Sequence, residues 1–274
     1  MQKPYTFACV SPGEYIGFQY NESIVEERED SIMKIYVRVD RHGMPPNHNF
    51  YTAQDGFRRL GQEIITFQDI SEVPVEKDNL IISFVADITD RVKALGGSYS
   101  IEDYPEELKD FLGRSVWEAT IQMVSTKQVK WPVFVKPKEE KLFGGRVVRS
   151  RQDLIGCVDS DGRDVPVYCS EPVDIVTEWR CFVRNGRIMD VRHYRGDWRQ
   201  PMNPDVIQNA VKAYTSAPRG YALDFGRTKD GRFIVIEAND GYSLGHYGLY
   251  PTDYAKLLAA RWSEMVGIED EFNF

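Results

Sequence analysis

The 274-residue sequence predicts a mixed fold of class α+β / α/β, a small α/β unit followed by a strand-rich region. Three observations predict it. Strand and helix patterns alternate between Met33 and Leu95, which suggests a βαβ-type layer. Short strand patterns then crowd the centre, from Val133 to Tyr194. Finally, Asn185-Gly186 and Lys229-Asp230-Gly231 each separate two β-rich runs, the mark of antiparallel hairpins.

Taken in order, Asn21 to Asp30 is acidic and reads as a surface segment. Met33, Ile35, Val37 and Val39 alternate, so a strand is expected there. A Gly- and Pro-bearing loop begins at His42, and a mixed helix or strand pattern runs on to Phe67. Leu80 to Ala86 is a continuous apolar run, expected as a buried strand. A helix from Asp87 to Leu95 stops at Gly96-Gly97. Tyr104-Pro105-Glu106-Glu107 starts another helix, and Gly113 divides it from a second, Arg114 to Ser125. Strands follow at Val133 to Val135, Val147-Val148, Val165 to Cys169, Val173 to Val183 and Arg187 to Tyr194. Asn203 caps a helix that opens on Pro204, with Val206, Ile207, Ala210, Val211 and Tyr214 on one face. The second hairpin comes next, Tyr221 to Phe225 with Phe233 to Ile236. A last helix is capped by Thr252, striped by Leu257, Leu258, Trp262 and Met265, and ended by Gly267.

Composition sets the class. At 42% hydrophobic and 28% charged, this is an ordinary globular chain. No apolar run approaches the roughly 20 residues that span a bilayer, and the first residues lack the apolar core of a secretory signal. Cys9, Cys157, Cys169 and Cys181 show no CxxC spacing, so reduced thiols and a cytoplasmic location are expected. A net charge of −8 argues against a general nucleic-acid binder. Lys127 to Gln200 nevertheless carries 15 Lys/Arg against 11 Asp/Glu, a basic centre suited to a phosphorylated small molecule.

Several residue types point to chemistry. Asp224 lies in one arm of the second hairpin, and Glu237 and Asn239, two apart, share a face of the other. Such hard oxygens suit Mg²⁺, which takes one or two carboxylates plus substrate phosphates. Ionised groups inside apolar runs are costly without a partner, which favours a metal over a solvated hairpin rim. Lys136 ends an apolar strand as a point charge. The following loop exposes backbone N–H groups at Gly144-Gly145. In the stretch Glu171 to Glu178, Val173 and Ile175 alternate beside backbone that can hydrogen-bond a base edge, and Glu178 can accept from ribose hydroxyls. Arg180 shares the face of Glu178, and Arg192 and Arg195 lie on or just after the partner strand, either meeting an anion or pairing with Glu178, Asp190 or Asp197. His246 is either a proton acceptor or a satisfied structural histidine.

This order of motifs resembles the ATP-grasp superfamily, and within it an arginine-rich branch of carboxylate–amine ligase-like proteins. FVKP at Phe134 to Pro137 resembles its phosphate-lysine strand, EPVDIVTE at Glu171 to Glu178 its adenine hinge, and Asp224 with Glu237-x-Asn239 its magnesium ligands. The likeness covers roughly Ser115 to Gly245. It implies an ATP-grasp fold, antiparallel sheets with helices clasping ATP, at 114–274 with subdomains near 114–180 and 181–274, preceded by an α/β domain at 1–113. It further implies ATP contacts at Lys136, Lys141, Gly144, Gly145, Glu171, Val173, Ile175 and Glu178, and Mg²⁺ on Asp224, Glu237 and Asn239. Arg180, Arg192 and Arg195 would be catalytic, with Ser243 and His246 near the substrate. The family's usual second, upstream lysine has three candidates here, Arg114, Lys127 and Lys130. The implied reaction is ATP-dependent amide formation through an acyl-phosphate. A kinase acting on a small molecule and a non-catalytic ATP-binding module are the alternatives. Expected partners are a small-molecule or peptide substrate with a carboxylate and an amine, with a homodimer allowed, and neither nucleic acid nor membrane.

Overall fold

The computed structural model describes residues 33–99, 102–139, 142–158, 161–242 and 244–274. Cys9, the acidic segment Asn21 to Asp30, Lys141 and Ser243 lie outside them.

The first layer is a three-stranded parallel sheet, order β2-β1-β3, of β1 (Lys34–Arg38), β2 (Ile64–Phe67) and β3 (Asn79–Ile82). Ile35, Tyr36 and Val37 are buried in succession, so both faces of the central strand are covered. Part of that cover is α1 (His48–Arg59), whose N-cap Asn47 side chain accepts the Phe50 N–H. Another part is α2 (Val85–Ala94), which ends at Leu95 just before Gly96, at φ +73. The rest comes from the far end of the chain. α5 (Pro251–Val266) lays Leu257, Leu258 and Trp262 into the core that holds Ile35 and Phe57. The Trp262 indole donates to the Lys77 carbonyl at 2.8 Å. Gly56 is needed where α1 and α5 cross, because a Cβ there would run into the Pro251 carbonyl.

Two four-stranded antiparallel sheets follow. One, order β4-β7-β5-β6, holds β4 (Val116–Thr120), β5 (Val133–Pro137), β6 (Arg146–Val148) and β7 (Pro166–Ser170) around Val133, Val135, Val148, Val167 and Cys169. A short helix, α3 (Ile121–Ser125), leaves β4 with the Thr120 side chain as its cap. The other sheet, order β11-β10-β8-β9, holds β8 (Ile175–Arg184), β9 (Arg187–Gly196), β10 (Gly220–Thr228) and β11 (Phe233–Asp240). Leu223, Phe225, Cys181 and Val235 meet Ile207, Ala210 and Val211 of α4 (Pro204–Ala213) on one face. Two-residue alternation sends Phe182 and Ala222 to the other face, into the core shared with α5. Cys157, Cys169 and Cys181 are free, buried thiols. No helix among the described residues is long and apolar enough to cross a membrane.

Four expectations need correction. The apolar run Leu80 to Ala86 is strand only as far as Ile82, and its last two residues, Val85 and Ala86, already open α2. Arg114 to Ser125 is not a helix but β4 followed by α3. The apolar spacing of this stretch suits either form, and pairing of Val116–Thr120 with β7 decides it. The helix expected after Tyr104 is a 3-10 turn, Glu106–Phe111. The last helix begins two positions earlier than a Thr252 cap implies, with Tyr250 as N-cap and Pro251 at the first helical position.

Candidate active site

The site grows from one row of residues across the second antiparallel sheet. In register, Glu237 of β11 lies opposite Asp224 of β10, Asp224 opposite Arg180 of β8, and Arg180 opposite Arg192 of β9. Cross-strand partners share a face, so two acids and two arginines stand side by side. The next row carries Asn239 opposite Ala222, on that same face by alternation.

Across from this row stands β5. Val133 and Val135 enter its own core, so Lys136 emerges on the opposite side. Its Nζ donates to Glu237 Oε2 at 2.6 Å, joining residues 101 positions apart. The same ammonium meets Asp103 Oδ2 at 2.8 Å, and the Tyr104 ring lies 6.0 Å away. Burial alone would pull the lysine's pKa down. The charges of Glu237 and Asp103 more than offset this and hold it above the ordinary range. Burial pushes the Tyr104 phenol up to about 12.

Asp224 and Arg180 form a fork. Nε and Nη2 of Arg180 each donate to one carboxylate oxygen at 2.7 Å. Burial disfavours the guanidinium's charge, but the Asp224 hydrogen bonds and charge more than compensate and keep its pKa high. Tyr247 covers Arg180 at 4.7 Å from its ring centroid, and Tyr194 stacks on Tyr247 at 4.6 Å and 6°. Glu178 is buried and accepts from Arg195 at 3.0 Å, although the Arg195 side chain is 75% exposed. Arg192 Nε donates to Asp190 at 2.7 Å.

The remaining expected site residues are placed as follows. Glu171 is exposed and accepts the Ser115 N–H at 3.1 Å, which ties it to the residue just before β4. Val173 and Ile175 are half-buried. Gly144 has open space where a Cβ would stand, whereas Gly145 packs on the Phe134 ring. His246 is fully engaged. Its Nδ1 accepts the Gly248 N–H at 3.0 Å, which leaves the proton on Nε2, 3.3 Å from Thr52 Oγ1. Its backbone N–H donates to Asn49 at 3.2 Å. Of the three upstream cations, Arg114 borders the row. It donates to the Val235 and Ile236 carbonyls and packs over Tyr104 at 5.9 Å. Lys127 instead covers the Trp131 ring, and Lys130 is exposed.

Sequence reasoning missed Asp103, Tyr104, Tyr194 and Tyr247. Tyr194 had a signal, since it follows Arg192 by two on one strand. Asp103 and Tyr104 had none, standing just before what reads as a helix start.

Among the described residues no three His, Cys, Asp or Glu side chains form a metal cage of their own. The donor chemistry still fits magnesium. Asp103 and Glu237 oxygens already converge on one cation, the Lys136 ammonium, at 2.8 and 2.6 Å. Asn239, two residues after Glu237 on β11, adds an amide oxygen, a hard donor of the kind Mg²⁺ takes. Mg²⁺ needs only one or two protein carboxylates when phosphates complete its shell.

Known structures share this fold at low identity. A D-alanine–D-alanine ligase from Bacillus anthracis is 16% identical, with a TM-score of 0.56 over 85% of this chain and 97% of that chain. An N5-carboxyaminoimidazole synthetase from Staphylococcus aureus is 11% identical, with 0.55 over 86% and 78%. A RimK-domain ATP-grasp protein from Sphaerobacter thermophilus is 13% identical, with 0.55 over 85% and 100%. No curated protein matches the chain. At these identities the likeness establishes the ATP-grasp fold, with its antiparallel sheets and flanking helices. The model of one ATP-grasp domain family, the second family of its clade, matches residues 111–257, more than half of the chain, and the chain belongs to that ATP-grasp family.

Proposed function

We propose that this protein is an ATP- and magnesium-dependent ligase that joins a carboxylate to an amine through an acyl-phosphate. One observation carries the reading: Lys136 of one sheet meets Glu237 of the other at 2.6 Å, beside the buried Asp224–Arg180 pair. A cation and acids converging from two sheets make a cleft that takes a metal-bound triphosphate.

In this reading the adenine lies along Glu171 to Ile175 and the ribose hydroxyls meet Glu178. Lys136 and the backbone at Gly144-Gly145 hold the phosphates, and Lys141, between them in the sequence, is the further lysine of this reading. Arg114 is the second cation of this cluster, through its place beside Tyr104 and β11. Glu237, Asn239 and Asp224 would hold magnesium, which would supply positive charge to offset that of the nucleotide phosphates. The substrate carboxylate attacks the γ-phosphorus, the bond to ADP breaks, and the acyl-phosphate forms. Arg192 and Arg195 are paired with Asp190 and Glu178 but are far more exposed than Arg180, so they would turn from those partners to the charge that develops. An amine then attacks the acyl carbon and phosphate leaves. Arg180 acts by fixing Asp224, since its fork is already occupied. The 241–250 segment borders the substrate, with Ser243 in it. His246 is a structural link there rather than the proton acceptor. Free thiols at Cys157, Cys169 and Cys181 suit a reducing compartment such as the cytoplasm.

The test is an ADP-release screen over amino acids and short peptides with Mg²⁺, with mass analysis of products. An amide and free phosphate are expected from wild type. Lys136→Met and Glu237→Gln should each lower the rate by about a hundredfold or more, the scale of losing one preorganised electrostatic contact. A phosphorylated product without free phosphate would identify a kinase instead. Unchanged nucleotide turnover in both variants would remove this site from consideration.

A further inference from the structure

Asp103 precedes the segment that the family model matches, yet it sits inside the cleft. Its backbone carbonyl accepts the Ala238 N–H at 2.9 Å, between Glu237 and Asn239. Its neighbour Tyr104 packs edge-on against Tyr168 of β7 at 4.9 Å. The segment is thus pinned to both antiparallel sheets, and its carboxylate reaches Lys136 at 2.8 Å.

An ammonium has three N–H donors. Asp103 and Glu237 take two, which leaves one with a fixed direction. We propose that Asp103 is a positioning residue of the nucleotide site, the counter-ion that keeps Lys136 in place when Glu237 turns to the metal accompanying the triphosphate. This rests on the nucleotide-site reading above. Without Asp103, Lys136 and Glu237 would hold only each other. Metal-bound nucleotide would then have to break a 2.6 Å charged pair and leave a part-buried lysine with no carboxylate. With Asp103, one carboxylate stays on the lysine throughout, and the third N–H still points at the phosphate. Asp103 also has an opposite effect, because its charge repels phosphate oxygens. Its removal therefore has opposite consequences for metal-bound and metal-free nucleotide.

The experiment measures equilibrium ATP binding to the full chain by calorimetry, with excess Mg²⁺ and with EDTA. It compares wild type, Asp103→Ala, Asp103→Asn and Lys136→Met, each checked for a cooperative thermal transition. Asp103→Ala should weaken Mg²⁺-ATP about tenfold, the worth of one charge-assisted hydrogen bond, while metal-free ATP binds as well or better. Asp103→Asn, which keeps an acceptor oxygen without the charge, should fall between, and it preserves the test if the alanine variant does not fold. Equal loss with and without Mg²⁺ would mean a merely structural residue and overturn the proposal. So would wild-type affinities in both Asp103 variants while Lys136→Met is impaired, and that pattern leaves the nucleotide site standing. If wild type takes up no ATP, or Lys136→Met binds as wild type does, the nucleotide-site reading itself fails and the role of Asp103 falls with it.

Discussion

Asp224 and Arg180 have side chains only 3% and 6% exposed, and both carboxylate oxygens are used by the guanidinium. Removing either partner strands a charge out of water. Asp224→Ala and Arg180→Met should therefore each cost about 3–5 kcal/mol in urea unfolding. The double variant Asp224→Leu with Arg180→Met removes both charges and should be less destabilised than either single change. Additive losses would show that the pair is not coupled. Lost turnover in Asp224→Ala would thus mix chemistry with folding. Glu237→Gln is the cleaner probe, because Glu237 is only part-buried and Lys136 keeps Asp103 in its absence.

Most strands could be read in the sequence, because alternation and turn residues act locally. Asn185 and Gly186 take φ +48 and +72, as a two-residue hairpin turn requires, and they join β8 to β9 as expected. The Asp230-Gly231 turn joins β10 to β11 likewise, so Asp224, Glu237 and Asn239 could be grouped from sequence. The seam between the two hairpins was not legible. Only the pairing of β10 with β8 sets Arg180 against Asp224, and no local signal specifies a pairing over 44 positions. Asp103 is opaque for the same reason, since its partners are Lys136 and Ala238. Val116 to Thr120 misled because a five-residue run suits helix or strand alike until a neighbour pairs with it. Gly56 shows tertiary packing overriding propensity. Alanine in a helix interior normally stabilises by about 0.5–1 kcal/mol over glycine. Here the new methyl meets the Pro251 carbonyl and the Ala255 side chain, so α1 and α5 must separate. Gly56→Ala should instead lose about 1–3 kcal/mol in urea unfolding, the cost of overpacking. A gain in stability would show that the crossing is looser than described.

At the scale of the molecule, the parallel sheet and the charged row are held in register by chain far apart in sequence. α5 shares a core with β1, while the segment before it carries Tyr247 over Arg180 and docks on α1 through His246. His246 is therefore a joint between the α/β layer and the site, and the joint has a pH dependence. Burial, with a smaller contribution from nearby His48, holds its imidazole below the ordinary range. In the unfolded chain it would titrate near about 6.5. Below that pH the unfolded chain takes up a proton that the folded chain resists. By linkage, this contribution is complete above about pH 6.5 and declines as pH falls towards the lowered folded value. The direction agrees with the hydrogen bonds, because protonated Nδ1 could no longer accept from Gly248. Carboxylates also titrate as acid is added, so the measurement must be a difference between proteins. His246→Asn keeps an acceptor for the Gly248 N–H and cannot titrate. Between about pH 7.5 and 5.5 the urea midpoint of wild type should fall further than that of the variant, and equal falls would mean that His246 changes charge without cost. If the joint sets the site, nucleotide affinity of wild type should weaken over the same interval, and that of the variant should not follow it.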